Sequence, residues 1–265
     1  VDDLLQHHLE LAEVSPGVFT RDADRTWWGS GAMFGGYAQT LALAAMRRSI
    51  PDPAKVPKSI TMHYLRPFLD GPQRIEVVVE REGRQMANCT ARLFSGGKLA
   101  GLALANFGTN RPSGSFRAAS LPAAATPVLP DEAPQRPQFG IPTHDLFDFF
   151  PRILTGPDDP VAETGAWIRP RFPTAADEYL CVVLADVWLP VIFARVVGGS
   201  GAVSADIAVH FRTPLPAAGV APGAPLFVHL RSPRSGDGWA EEDGQIWTEA
   251  GELIAESRQT RFVHT

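Results

Sequence analysis

The run Tyr37-Ala38-Gln39-Thr40-Leu41-Ala42-Leu43-Ala44-Ala45-Met46-Arg47-Arg48, entered through Ser30-Gly31-Ala32-Met33-Phe34-Gly35-Gly36 and stopped at Pro51, is apolar almost all the way round a helical wheel. A helix without a wet face is buried on most of its sides. Strand-like runs follow it at Ser59–Arg66, Arg74–Glu82, Met86–Ser95 and Lys98–Thr109, divided by short turns such as Glu82-Gly83-Arg84 and Gly96-Gly97. Turns that short join antiparallel neighbours. The order then repeats: an extended Ala166–Phe172, a helical Ala175–Val197 that Pro190 should kink or end, and strands at Ser204–Arg212, Pro225–Arg234, Trp239–Glu249 and Glu252–Val263. A duplicated α+β unit, one helix wrapped by an antiparallel sheet in each copy, is the simplest reading.

Local wording supports the duplication. His63-Tyr64-Leu65-Arg66-Pro67 matches His210-Phe211-Arg212-Thr213-Pro214, and Gly97-Lys98-Leu99-Ala100 matches Gly251-Glu252-Leu253-Ile254-Ala255, on corresponding elements and in the same order. Between the copies lie Pro112, Pro122, Pro127, Pro130, Pro134, Pro137 and Pro142, a density that neither a long helix nor a central strand tolerates. The expected organisation is a first unit over 1–110, a Pro-rich linker over 111–142 and a second unit over 143–265.

With 24 Lys+Arg against 29 Asp+Glu, the net charge of -5 gives no basic footprint for nucleic acid. A hydrophobic content of 45% supplies a large core, while no apolar run reaches the roughly 20 residues that cross a bilayer. The start, Val1 to Leu9, is amphipathic and acidic, unlike a signal peptide. Cys89 and Cys181 form neither a disulfide framework nor a zinc motif. The scattered histidines do not suggest a metal, so a metal-free protein of the reducing cytoplasm is expected.

The sequence resembles the double-hotdog acyl-CoA thioesterases, the group that includes acyl-CoA thioesterase II. The likeness runs over nearly the whole chain and is carried by Phe34-Gly35-Gly36-Tyr37-Ala38-Gln39, His63-Tyr64-Leu65-Arg66-Pro67, Asp206-Ile207-Ala208-Val209-His210-Phe211-Arg212 and Gly251-Glu252-Leu253-Ile254-Ala255-Glu256-Ser257-Arg258-Gln259. It implies a tandem double hotdog that hydrolyses acyl-CoA to fatty acid and CoA, without a dissociable cofactor and as a homo-oligomer. It also implies an Asp, a hydroxyl residue and a Gln converging on one water in the second unit. Matched residue by residue, these become Asp206, Gln259 and a serine, Ser232 ahead of Ser235, because no Thr stands at the corresponding place. Gly36 N–H, at the start of the first helix, would hold the oxyanion, with Gly35, Tyr37 and His63 beside the substrate.

Each assignment has a plainer counterpart. Asp206 could be an ordinary strand residue, Gln259 a polar residue on a wet face, Ser232 a turn residue beside Pro233, and the glycines a close-packing device. Asp186, alone in Leu184-Ala185-Asp186-Val187-Trp188, must be paired or carry a raised pKa on such an apolar helix, which makes it a candidate supporting group. Arg66, Lys98, Arg212, Arg258 and Arg261 are available for the CoA phosphates, with no ground for choosing among them. Trp27-Trp28 and Phe147, Phe149 and Phe150 pack the core or cover an acyl channel. Two other functions stay open: hydration of an enoyl-CoA, for which His63 could serve, and acyl-CoA binding without turnover. Gly29-Ser30-Gly31 with Gly35 misses the dinucleotide fingerprint, and Gly198-Gly199-Ser200-Gly201-Ala202 misses the nucleophile elbow and reads as a flexible connection.

Overall fold

A computed structural model describes residues 4–136, 140–195 and 201–264. The first half contains α1 (Leu4–His8), β1 (Ala12–Ser15), β2 (Val18–Asp22), α2 (Gly35–Arg48), β3 (Val56–Tyr64), β4 (Pro72–Glu82), β5 (Met86–Ser95) and β6 (Lys98–Gly108). The second half contains β7 (Phe147–Leu154), β8 (Glu163–Pro170), α3 (Glu178–Val187), α4 (Val191–Arg195), β9 (Gly201–Phe211), β10 (Leu226–Arg231), β11 (Ser235–Gly236), β12 (Trp239–Trp247) and β13 (Leu253–His264). The predicted Met86–Ser95 strand is reproduced residue for residue, and the other predicted strands agree to within about three residues at either end. Gly96 and Gly97, at φ of 56° and 74°, form the β5–β6 turn in a backbone region that other residues avoid.

The strands form one sheet in the order β1-β2-β4-β5-β6-β3-β9-β13-β12-β10-β8-β7, with β11 paired to β12 alone. Its two halves meet where β3 pairs antiparallel with β9, from Ser59 opposite His210 to His63 opposite Asp206. Aligning His63 with His210 makes Thr61 the counterpart of Ala208, and these two residues face each other in that ladder. A local twofold between the repeats requires such a pairing.

The helices lie against the inner face of the sheet. Every residue of α2 from Gly36 to Met46 is buried, as its all-round apolar sequence requires. Beside it packs α3, buried along Leu180 to Ala185 and capped by Asp177, whose carboxylate accepts from Leu180 N at 2.9 Å. The second half lacks the long helix expected over Ala175–Val197. Instead α3 stops after 10 residues at Val187, an extended Trp188 follows, and the five-residue α4 begins after Pro190. The missing N–H and fixed ring of proline account for the break. Residues 196–197 of that expected helix, and 198–200 of the expected flexible connection, lie outside the described residues. Among the described residues no helix is long and apolar enough to cross a membrane.

Candidate active site

Asp186 projects from α3 toward the start of α2, its side chain 7% exposed. Its Oδ2 accepts from Gly36 N at 3.0 Å, so the carboxylate caps the positive end of a helix from the other half of the chain. Glycine at two successive positions permits this approach. A Cβ on Gly35 would stand 2.9 Å from Asp186 Oδ2, and one on Gly36 would meet the Phe34 ring at 2.7 Å and Asp186 Cβ at 3.3 Å. Tyr64, at the end of β3, donates its hydroxyl to Gly35 O at 3.0 Å and holds the turn into α2.

Strand alternation brings the partners of Asp186 from β9 and β13. Gln259, Arg261 and, across β12, Glu242 all face inward and are buried. The β9–β13 ladder runs regularly to Thr260 opposite Asp206 and then skips a residue, so that Arg261 stands opposite Ser204. This β-bulge takes up Ala205 and turns Ser204 to the inner face, although Asp206, two residues on, points outward. Gln259 Nε2 then donates to Asp186 Oδ1 at 3.1 Å and to Ser204 Oγ. Arg261 donates from Nη2 to Gln259 Oε1 at 2.8 Å and from Nε to Glu242 Oε2.

Burial pushes the Asp186 carboxyl above its ordinary range. Arg261, Gln259 and Gly36 N–H oppose that shift without cancelling it, and Glu242 adds to it. Burial likewise holds the Tyr64 phenol well above 10.0, and the Asp186 charge reinforces it. The result is a buried carboxylate at the first turn of a helix, bridged by the Gln259 amide to a hydroxyl, a donor and acceptor set able to bind and deprotonate a water.

The structure relocates several of the expected site residues. Asp206 is turned away from Gln259: Gln259 pairs with Ile207, so Asp206 lies on the outer face, where it is 32% exposed and 4.0 Å from His63. His63 is itself 59% exposed on that face, away from the polar cluster. Ser232 follows β10 and donates its hydroxyl to Arg234 O, and Ser235 donates to Trp239 O, so both bond within the β10–β12 connection and neither meets Gln259. Tyr37 points into the core, donating to His8 O at 2.6 Å and stacking on Trp27. Gln259 and Gly36 come together through Asp186, and the amide of Gly36 is directed at that carboxylate. Ser204 and Glu242 were not expected at the site. Of the five candidate phosphate cations, Arg261 is 5% exposed and bound to Glu242, while Arg212 and Arg258 pair with Glu256 and with Glu241 and Asp243. Among the described residues no group of His, Cys, Asp and Glu is placed to hold a metal ion.

A helix lying on an antiparallel sheet in each half, with the polar cluster where the two helices meet, defines a hotdog protein. Models of the acyl-CoA thioesterase N-terminal and C-terminal domains match residues 24–108 and 122–263. The chain belongs to the acyl-CoA thioesterase family and is a thioester hydrolase. Among solved structures it is similar to a conserved hot dog fold protein of unknown function from Alicyclobacillus acidocaldarius, with a TM-score of 0.87, 20% identity, and coverage of 100% of this chain and 99% of that one. It is also similar to a putative thioesterase II from Thermobifida fusca YX, at TM-score 0.80, 23% identity and 99% and 98% coverage. A third is acyl-CoA thioesterase II TesB2 from Mycobacterium marinum, at TM-score 0.76, 22% identity and 98% and 96% coverage. Likeness at this identity shows the fold. A comparison with curated proteins found no match.

Proposed function

We propose that the chain hydrolyses acyl-CoA to a free fatty acid and CoA, with Asp186 as general base and Ser204 and Gln259 orienting the water. The hydrogen-bonded chain that runs from Gly36 N–H at the start of α2 through Asp186 and Gln259 to Ser204 carries the reading. A water held by the Ser204 hydroxyl and Asp186 gives its proton to the carboxylate as its oxygen attacks the thioester carbonyl. Charge on the carbonyl oxygen develops beside the amides of the first turn of α2, whose dipole favours it. Collapse of the tetrahedral intermediate breaks the C–S bond, and the proton on Asp186 passes to the departing thiolate. Proton transfer and hydrogen bonding suffice for the sequence, so it needs no dissociable cofactor. Membership of the acyl-CoA thioesterase family supports acyl-CoA as the substrate.

The raised Asp186 carboxyl fits the role, since a base closer to the working pH accepts a proton more readily than an ordinary aspartate. We assign the first hotdog unit to 1–110 and the second to 143–265, joined by 111–142, so that the reacting groups come from both units. Thiol release from short, medium and long acyl-CoAs tests the proposal. Turnover that Ser204→Ala and Gln259→Ala each lower at least about tenfold is expected. Absence of thiol release at every chain length would exclude hydrolysis.

A further inference from the structure

Glu241, Glu242 and Asp243 follow one another in β12, and alternation sends only Glu242 inward, directly across the ladder from Gln259. Glu242 is 2% exposed and its partner Arg261 is 5% exposed. Replacing a buried ion pair with apolar side chains of similar volume is often neutral or stabilising, so stability is a poor explanation for this one. Its bonds point elsewhere. Glu242 accepts from Arg261 Nε through one carboxylate oxygen and from the backbone N–H of Val191, at the start of α4, through the other. The guanidinium is thereby held along one edge, which aims Nη2 at Gln259 Oε1, 2.8 Å away, and brings it to 3.5 Å from Asp186 Oδ1.

The two ends of a glutamine amide are nearly alike in shape and opposite in hydrogen bonding. With its oxygen taken by Arg261, Gln259 must present NH2 to Asp186 and Ser204. The reversed amide would set oxygen against the Asp186 carboxylate and NH2 against the guanidinium, two repulsive contacts. Gln259 therefore donates to Ser204 Oγ, which leaves the serine proton to be donated to the water. We infer that Glu242 and Arg261 are positioning residues for the hydrolysis, the Glu242-clamped guanidinium locking the Gln259 amide with its NH2 toward Asp186 and Ser204. The inference rests on the function proposed above and adds to it two residues that do not touch the reacting atoms.

Two variants of the full chain test it. Arg261→Lys keeps the charge but replaces the rigid fork with a single ammonium that cannot match both edges. Glu242→Leu with Arg261→Met removes that ion pair at similar volume and takes from Asp186 its buried cation partner. Steady-state thiol release gives kcat and KM, the pH profile gives its acid limb, and 13C NMR titration of the Asp186 carboxyl needs no activity. Both variants should lose at least about tenfold in kcat with KM within about twofold. In the double variant the Asp186 titration and the acid limb should move to higher pH, because Arg261 outweighs Glu242 in its effect on that carboxyl. In Arg261→Lys both should stay near the wild-type position while kcat falls. Wild-type kcat in either folded variant overturns the inference, whatever the titration shows. Should the double variant fail to fold, Arg261→Lys decides alone. If the wild type itself releases no thiol, hydrolysis is what fails, and the NMR titration decides the remaining question: an Asp186 titration unmoved in the double variant refutes the coupling.

Discussion

Gly35 is the residue whose missing side chain makes room for the Asp186 carboxylate. A methyl group there would pack on the Tyr64 ring at 3.4 Å but meet Asp186 Oδ2 at 2.9 Å, a clash that displacement of the carboxylate relieves. Gly35→Ala should cost about 1–3 kcal/mol of stability through overpacking and, by moving Asp186 off Gly36 N–H, lower kcat at least about tenfold. Denaturant titration and thiol release measure the two effects separately. The glycine pair was legible in the sequence and so was the isolation of Asp186 among apolar residues, but the choice between Asp186 and Asp206 was not. That choice turns on which face of β9 Asp206 occupies, and only its pairing fixes this: Asp206 stands opposite Thr260, next to the inward pair of Ile207 and Gln259 and just after a bulge that takes up Ala205. The same bulge hid Ser204, since simple alternation groups it with the outward-facing Asp206.

Among the elements, α3 is short for what it positions. It must deliver Asp186 to the start of α2 within 10 residues, and it begins at the Asp177 cap, whose other oxygen accepts from Gln6 Nε2 of α1 at 3.0 Å. Asp177→Ala should lower stability by about 1 kcal/mol, seen as an earlier denaturation midpoint, while leaving kcat nearly unchanged well below that midpoint. The central strands were legible because they alternate cleanly and end at glycine turns. The short β1 and β2, and the edge strand β7, were not. Pro151 inside β7 argues against a strand, and only an edge position, where a ladder hydrogen bond can be forgone, allows it.

At the scale of the whole molecule, the β3–β9 seam makes one sheet of two repeats. Ile60, Met62, Ile207 and Val209 pair across it and are fully buried, so the seam is core rather than a domain boundary. Gln39 of α2 reinforces it by donating to Ile207 O at 3.1 Å. Ile207→Ala should therefore cost about 2–5 kcal/mol and shift a single unfolding transition. Tryptophan signals from both halves should move together in a thermal melt, and separate transitions would show that the repeats unfold independently. The two-part order of elements could be read from the sequence, whereas the pairing that fuses the halves depends on contacts between strands far apart in the chain. The site shares this property. Its amide comes from the first half and its carboxylate, hydroxyl and glutamine from the second, so no local motif contains it.

The assignment of the base to α3 is the claim on which the rest depends, and one comparison tests it most directly: thiol release from acyl-CoA by Asp186→Asn beside Asp206→Asn, with folding checked by circular dichroism. Asp186→Asn should lower kcat by about 100-fold or more, and Asp206→Asn, on the outer face, should stay within about twofold of wild type. Full activity in Asp186→Asn, or its loss in a folded Asp206→Asn, would contradict the account.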